Sequence, residues 1–301
     1  LRFYKKIIAT VAMMASVLLL AACSSTQPKY DANKPLGPQI NYTITGIDAG
    51  AGIMTSTDKA LKAYGLADKN WQLQPSSTAA MTSTLKKAIA DKRPIVVTGW
   101  TPHWMFTKFP LKFLKDPKNV YGKTEQIHTI VRKGLKQDDP QAYRVLDQFH
   151  WTPKEISSVM LAVNNGQDPA DAAKDFVKKH PKQVAEWTKG ASHVSGHPKL
   201  TLTYIAWDSE IASTNVVATV LRQVGYKVTI RAMEPQPVWA SVATKAADAQ
   251  VSAWLPNTAA KLYADYKNQV VDLGVNMDGA RVGLAVPKYM KNINSIEDLK
   301  K

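Results

Sequence analysis

A chain of 301 residues with 45% hydrophobic and 21% charged residues, 15 Gly and 17 Pro is globular in composition and long enough for one large domain or two smaller ones. Its formal charge of +15 is spread through amphipathic stretches such as "KDFVKKHPKQVAEWTKG" rather than massed with aromatic residues. This argues against a nucleic-acid surface and for solvated helix faces near an anionic cell surface. The single cysteine, Cys23, excludes a disulfide framework and cysteine-based metal sites.

The chain opens on a short basic segment, "LRFYKK", followed by the apolar run "IIATVAMMASVLLLAA", which is shorter than the ~20 residues a membrane span needs. The run ends in Leu20-Ala21-Ala22-Cys23, followed by Ser24-Ser25. This resembles a bacterial lipobox. The resemblance implies a signal peptide over residues 1–22 and lipidation of Cys23 as the mature N-terminus, with diacylation holding the protein at a membrane. Residues 24–39, "SSTQPKYDANKPLGPQ", are polar and Pro-containing without a period, so 23–40 is expected to be the lipidated cysteine and a flexible tether.

From Asn41, short β runs alternate with helix-period runs, which predicts an α/β fold. "YTITGIDAG" reads as a strand and a small-residue loop. "STDKALKAYGL" reads as a helix that begins near Ser56 and closes near Gly65. "WQLQPS" is strand-like, and "STAAMTSTLKKAIADKR" is a helix with a Ser/Thr start. "IVVTGWTPHWMF" is a strand that stops at Gly99 and delivers Trp100 into a Thr-Pro turn. Residues 124–189 are nearly all helical in period, broken at "HWTPKE" and "GQDPAD", where Pro and capping residues restart helices. From Lys199 the strand–helix alternation resumes and runs to the end.

The two alternating regions are alike. Residues 44–66 can be laid on "LTYIAWDSEIASTNVVATVLRQVGY" from 202. Each region then reaches a strand ending in small-Trp-x-Pro, Gly99-Trp100-Thr101-Pro102 and Ala253-Trp254-Leu255-Pro256. Two similar α/β halves predict two lobes with a ligand cleft between them, lined by the C-terminal ends of strands.

No nucleophile motif is present: there is no Gly-x-Ser-x-Gly and no His-Glu-x-x-His. The six histidines lack ligand spacing, and His128 reads as a structural helix residue. No catalytic residue, metal or cofactor is therefore expected. Gly50-Ala51-Gly52 is neither a P-loop nor a dinucleotide fingerprint, but small residues before a helix make a backbone site for an anion. Trp71, Trp151, Trp187 and Trp239 are assigned to packing. Trp100, Trp207 and Trp254, at the ends of three strand-like runs, stand apart. Indole faces attract a quaternary ammonium group by about 0.5–1 kcal/mol when exposed and about 2 or more when desolvated. A zwitterion with such a head and a carboxylate tail suits an indole cage opposite a backbone amide site.

At these residues the chain resembles a known family. "GIDAGAGIM", "VVTGWTPHWMF", "YGKTEQIHTIVRKGL", "FHWTP", "IAWDSEIASTNV", "SAWLPNT" and "VPKYMKNINSIEDLKK" are similar to segments of the glycine-betaine-binding lipoproteins of osmoprotectant ABC importers in Gram-positive bacteria. The likeness covers roughly residues 41–301. The segment order is the one circularly permuted relative to the Gram-negative periplasmic betaine-binding proteins. The resemblance implies a two-lobed, type II periplasmic-binding-protein-like fold, with one lobe over 41–104 plus 284–301 and the other over 105–283. It implies that Trp100, Trp207 and Trp254 cage the trimethylammonium group and that the N–H groups of Gly52 and Ile53 hold the carboxylate. It implies an extracytoplasmic, lipid-anchored protein that delivers its ligand to an ABC permease with ATPase subunits. One position departs: where the family usually reads Trp-Leu-Pro-Asn-Thr-His, with the His binding the carboxylate, this chain has Ala259. A hydrogen bond to a charged group is worth about 1.5–3 kcal/mol, so its loss costs roughly ten- to a hundredfold in affinity. A preference for choline, carnitine or proline betaine is the alternative within the class. A hydrolase of choline compounds is the alternative outside it, opposed by the absence of a nucleophile–base–orienter set.

Overall fold

The structure, a computed structural model, describes residues 28–301, so the expected signal peptide and the expected lipidation site Cys23 lie outside the described residues. Nine strands run in the order β2-β1-β3-β9-β5-β8-β6-β7, with β4 attached to β9. The strands are β1 Thr43–Thr45, β2 Gln72–Gln74, β3 Val96–Thr101, β4 Leu111–Phe113, β5 Glu125–Arg132, β6 Lys199–Tyr204, β7 Lys227–Ala232, β8 Ala249–Leu255 and β9 Val270–Pro287.

The repetition read in the sequence is structural. In the first lobe, β1 pairs in parallel with β2 and β3, and β3 pairs antiparallel with β9. In the second, β6 pairs in parallel with β7 and β8, and β8 pairs antiparallel with β5. The helices are α1 Leu36–Gln39, α2 Gly52–Ala63, α3 Thr78–Ala90, α4 Trp104–Lys108, α5 Leu135–Asp138, α6 Pro140–Gln148, α7 Pro153–Asn164, α8 Pro169–Lys179, α9 Pro181–Trp187, α10 Asp208–Val224, α11 Pro235–Ala243 and α12 Ala260–Tyr266. Helices α2 and α3 connect the first three parallel strands, and α10 and α11 do the same in the second lobe. β9 belongs to both: Val270–Ala280 runs beside β5, and Arg281–Pro287 runs beside β3 and β4.

Helices α5–α9 are inserted between β5 and β6, and α6, α7 and α8 pack on α10. Most of the side chains of α10 are buried, and it ends on Gly225 at φ 115°, where a side chain is disfavoured. The insertion has an aromatic core in which Phe149 meets Trp187 at 4.9 Å and Trp151 at 5.5 Å. Trp71 and Trp187 are buried with their indole N–H groups donating to Leu299 O and His150 O. They pack as expected.

Two expectations are corrected. Glu125–Arg132 is a strand, not a helix, and His128 sits on it with Nδ1 2.9 Å from Asp272 Oδ1 on β9. The strand lies between β8 and β9 and carries Ile127, Thr129, Ile130 and Val131, mostly buried. Ile127 and Val131 are buried in the main core and Ile130 in a second one, so apolar residues fall at both odd and even positions and the alternation that marks a half-buried strand is lost. The expected tether is also packed from Tyr30 onward. Tyr30 N–H donates to Lys92 O, its hydroxyl meets Asn292, and Leu36 and Ile40 are buried. The apolar side chains of this stretch outweigh its proline content.

Candidate functional site

The three indoles reach the cleft by different routes. β3 is buried through Trp100, and its Gly99 leaves room for Ala285 and Met105, which a Cβ there would meet at 3.1 and 3.2 Å. Trp254 is the equivalent residue of β8, and each of the two tryptophans is 5% exposed. The Thr101–Pro102 and Leu255–Pro256 bonds that follow them are both cis. Trp207 lies three residues past the end of β6, where it forms the N-cap position of α10 and is half-buried.

One small apolar cavity is lined by Trp100, Trp207 and Trp254 together with Gly52, Ile53 and Ser209. All five residues expected to bind ligand thus meet at one place. Helix α2 begins at Gly52 rather than near Ser56, so Gly52 and Ile53 are its first two residues. Among the described residues their N–H groups have no hydrogen-bond partner, as the first turn of a helix requires of groups left for a ligand or water. The Ser209 hydroxyl is also buried without a partner among the described residues. A second cavity of about 460 Å³ adjoins the first, and Ala259 lines it.

Contacts between the lobes surround the three indoles, and sequence reasoning missed them. Gly52 lies against the backbone of Thr258, where a Cβ would stand 2.3 Å from Thr258 O. Thr258 is held by the buried Glu125, whose carboxylate accepts the N–H groups of Asn257 (2.9 Å) and Thr258 (2.7 Å) and the Thr258 hydroxyl (2.5 Å). On the other flank, Asp208 of α10 accepts the indole N–H of Trp104 at 2.5 Å. His103 Nε2 lies 3.2 Å from the same oxygen, close enough for charge attraction though not aligned as a hydrogen bond. Burial pushes the Asp208 carboxyl up, but His103 and Trp104 outweigh it and hold the group below the usual carboxylate range. The available signals were slight: one acidic residue opening a buried strand, and an Asp directly after Trp207.

Among the described residues no group of three or more His, Cys, Asp or Glu is arranged to hold a metal ion, and no helix is long and apolar enough to cross a membrane. A model of the family described as the substrate-binding domain of ABC-type glycine betaine transport systems matches residues 29–179 and 198–301. The chain is 67% identical over 296 residues, 98% of each chain, to the glycine betaine/carnitine transport binding protein GbuC of Listeria monocytogenes serotype 1/2a (strain 10403S). Among solved structures it is similar to lactococcal OpuAC in a closed-liganded conformation with glycine betaine. That match has 48% identity and a TM-score of 0.49, over 55% of this chain and 64% of that one. It is also similar to the Borrelia burgdorferi glycine/betaine/L-proline-binding protein ProX, with 34% identity and a TM-score of 0.48, over 56% of this chain and 63% of that one. In both structural matches the aligned part is less than two thirds of the solved chain.

Proposed function

The chain belongs to the family of substrate-binding domains of ABC-type glycine betaine transport systems, and from that premise we propose how its residues perform the task. It is a substrate-binding protein of the glycine betaine/carnitine class. Trp100, Trp207 and Trp254 surround the trimethylammonium head, whose charge is attracted by the indole faces and whose methyl groups gain apolar contact. The N–H groups of Gly52 and Ile53 hold the carboxylate, with the Ser209 hydroxyl as a further donor. The observation that carries this reading is the convergence of three indoles and two unpaired helix N–H groups on one cavity.

The cage is divided between lobes, with Trp100 on β3 and Trp207 and Trp254 on the other side of the cleft. A ligand therefore favours the closed state, in which all three rings meet it. We place the lobe boundary after β4 rather than at residue 104, because β4 pairs with β9 in the first lobe. The protein delivers ligand to a permease with ATPase subunits from the extracytoplasmic face, anchored through Cys23, and performs no chemistry on it. The choline reading rests on Ala259, since choline has no carboxylate to miss a histidine. Calorimetry with glycine betaine, carnitine and choline ranks the three, and recovery of the ligand unchanged after long incubation disposes of a hydrolase. The cage itself is tested by Trp207→Ala, for which titration followed by tryptophan fluorescence is expected to show glycine betaine binding weakened more than tenfold. Unaltered affinity refutes the cage.

A further inference from the structure

Behind the cage lies the second cavity, about 460 Å³, which shares Trp207 and Trp254 with the first. Its position follows from the period of β8. Gln250, Ser252 and Trp254 are alternate residues of the strand and so occupy one face, and all three line the cavity. Polar residues at alternate positions of a strand buried along its whole length are anomalous unless something pairs with them. Ser252 is paired, with its hydroxyl 2.6 Å from that of Ser213. Gln250 is not: it is 2% exposed, and its side-chain N–H₂ has no partner among the described residues. A buried amide left unpaired is destabilising, and a ligand oxygen would supply the missing acceptor.

We infer that this compartment is a subsite for the tail of trimethylammonium carboxylates longer than glycine betaine, with the Gln250 amide donating to the far carboxylate oxygen. The inference rests on the cage holding the ammonium head. Strand geometry separates the Cα atoms of Trp254 and Gln250 by about 13 Å at ~3.3 Å per residue. Each carbon added between the charges of the zwitterion lets its carboxylate reach further from the indoles toward Gln250. Glu210 also lines the cavity, and one of its oxygens accepts the Ile205 N–H at 2.7 Å. Burial pushes its carboxyl up to about 8, so at neutral pH it is protonated and offers a ligand carboxylate a donor rather than a repelling charge. Ala259, whose side chain is a single methyl group, also lines this space.

The test is calorimetry on the full mature chain with glycine betaine, carnitine and γ-butyrobetaine, the last having carnitine's length without its hydroxyl. Wild type is expected to bind all three. Gln250→Met, near-isosteric but without the donor, is expected to weaken both longer ligands tenfold or more and glycine betaine by less than threefold. Ala259→Phe, which fills part of this space, is expected to weaken the longer ligands at least tenfold more than glycine betaine. If a melting curve shows that Gln250→Met does not fold, Ala259→Phe decides. The inference is overturned if the longer ligands do not bind wild type, if they bind both variants as they bind wild type, or if either folded variant weakens all three ligands alike. Failure of the cage reading is separate and is seen as undiminished glycine betaine binding in Trp207→Ala.

Discussion

Gly52→Ala separates closure of the cleft from stability of the fold. The new Cβ would lie 2.3 Å from Thr258 O, 2.8 Å from Thr258 Cγ2 and 3.0 Å from Thr258 C, where ordinary contact begins at 3.4 Å. To reach 3.4 Å from the oxygen, the surfaces must part by 3.4 − 2.3 = 1.1 Å. Thr258 does not yield easily, because three hydrogen bonds tie it and Asn257 to the buried Glu125. Overpacking of this kind costs about 1–3 kcal/mol, which corresponds to roughly 5- to 150-fold in affinity if it falls on the closed state alone. The substitution has no comparable cost in the open, unliganded protein. Gly52 is the first residue of α2 without a positive φ, and Ala is the better helix former by up to about 1 kcal/mol. Calorimetry should therefore show glycine betaine binding at least fivefold weaker, while the melting temperature of the unliganded chain stays the same or rises. A variant that binds as tightly as wild type would falsify the reading of Gly52 as the point where the lobes meet.

Two further outcomes follow from the charged groups. Asp208→Ala removes the acceptor of Trp104 and the charge facing His103, contacts made between the lobes. A hydrogen bond to a charged group is worth about 1.5–3 kcal/mol, so stopped-flow fluorescence should show glycine betaine leaving about ten- to a hundredfold faster. Glu210 has a folded-state value of about 8 against an ordinary 4.5, so the folded state holds its proton more tightly than the unfolded state does. Its contribution to stability is complete below pH 4.5 and is lost as pH rises through about 8, up to about 5 kcal/mol over that window. Denaturant titrations at pH 5 and pH 8.5 should show Glu210→Gln losing less stability between the two than wild type, and equal losses would remove Glu210 as the cause.

What could be read before the structure was whatever recurs locally. The strand–helix repeats at 44–66 and from 202, each leading to a small-Trp-x-Pro turn, appear as the paired arrangements β2-β1-β3 and β7-β6-β8. The meeting of three indoles at one cavity was legible because an indole at a strand exit conflicts with the polarity expected of a loop. β5 was not legible, because its apolar residues serve two separate cores, Ile127 and Val131 in one and Ile130 in the other, which erases its period. Nor was the docking of residues 30–40, where composition pointed to a linker while Leu36 and Ile40 found an apolar surface far away in the chain. The contacts of Glu125 with Thr258 and of Trp104 with Asp208 join residues 133 and 104 positions apart, and no local pattern encodes such pairs.

The shared strand β9 gives the molecule a spine. Its backbone passes without interruption from Ala280 beside β5 to Arg281 beside β3, so any turn of one lobe on the other has to bend this strand, as covers turn about a binding. A transporter that engages both covers senses the angle between them rather than the molecule pressed inside. Two solutes that draw the covers to the same angle are then the same cargo to the machinery downstream, and discrimination has to be completed before the book is shut.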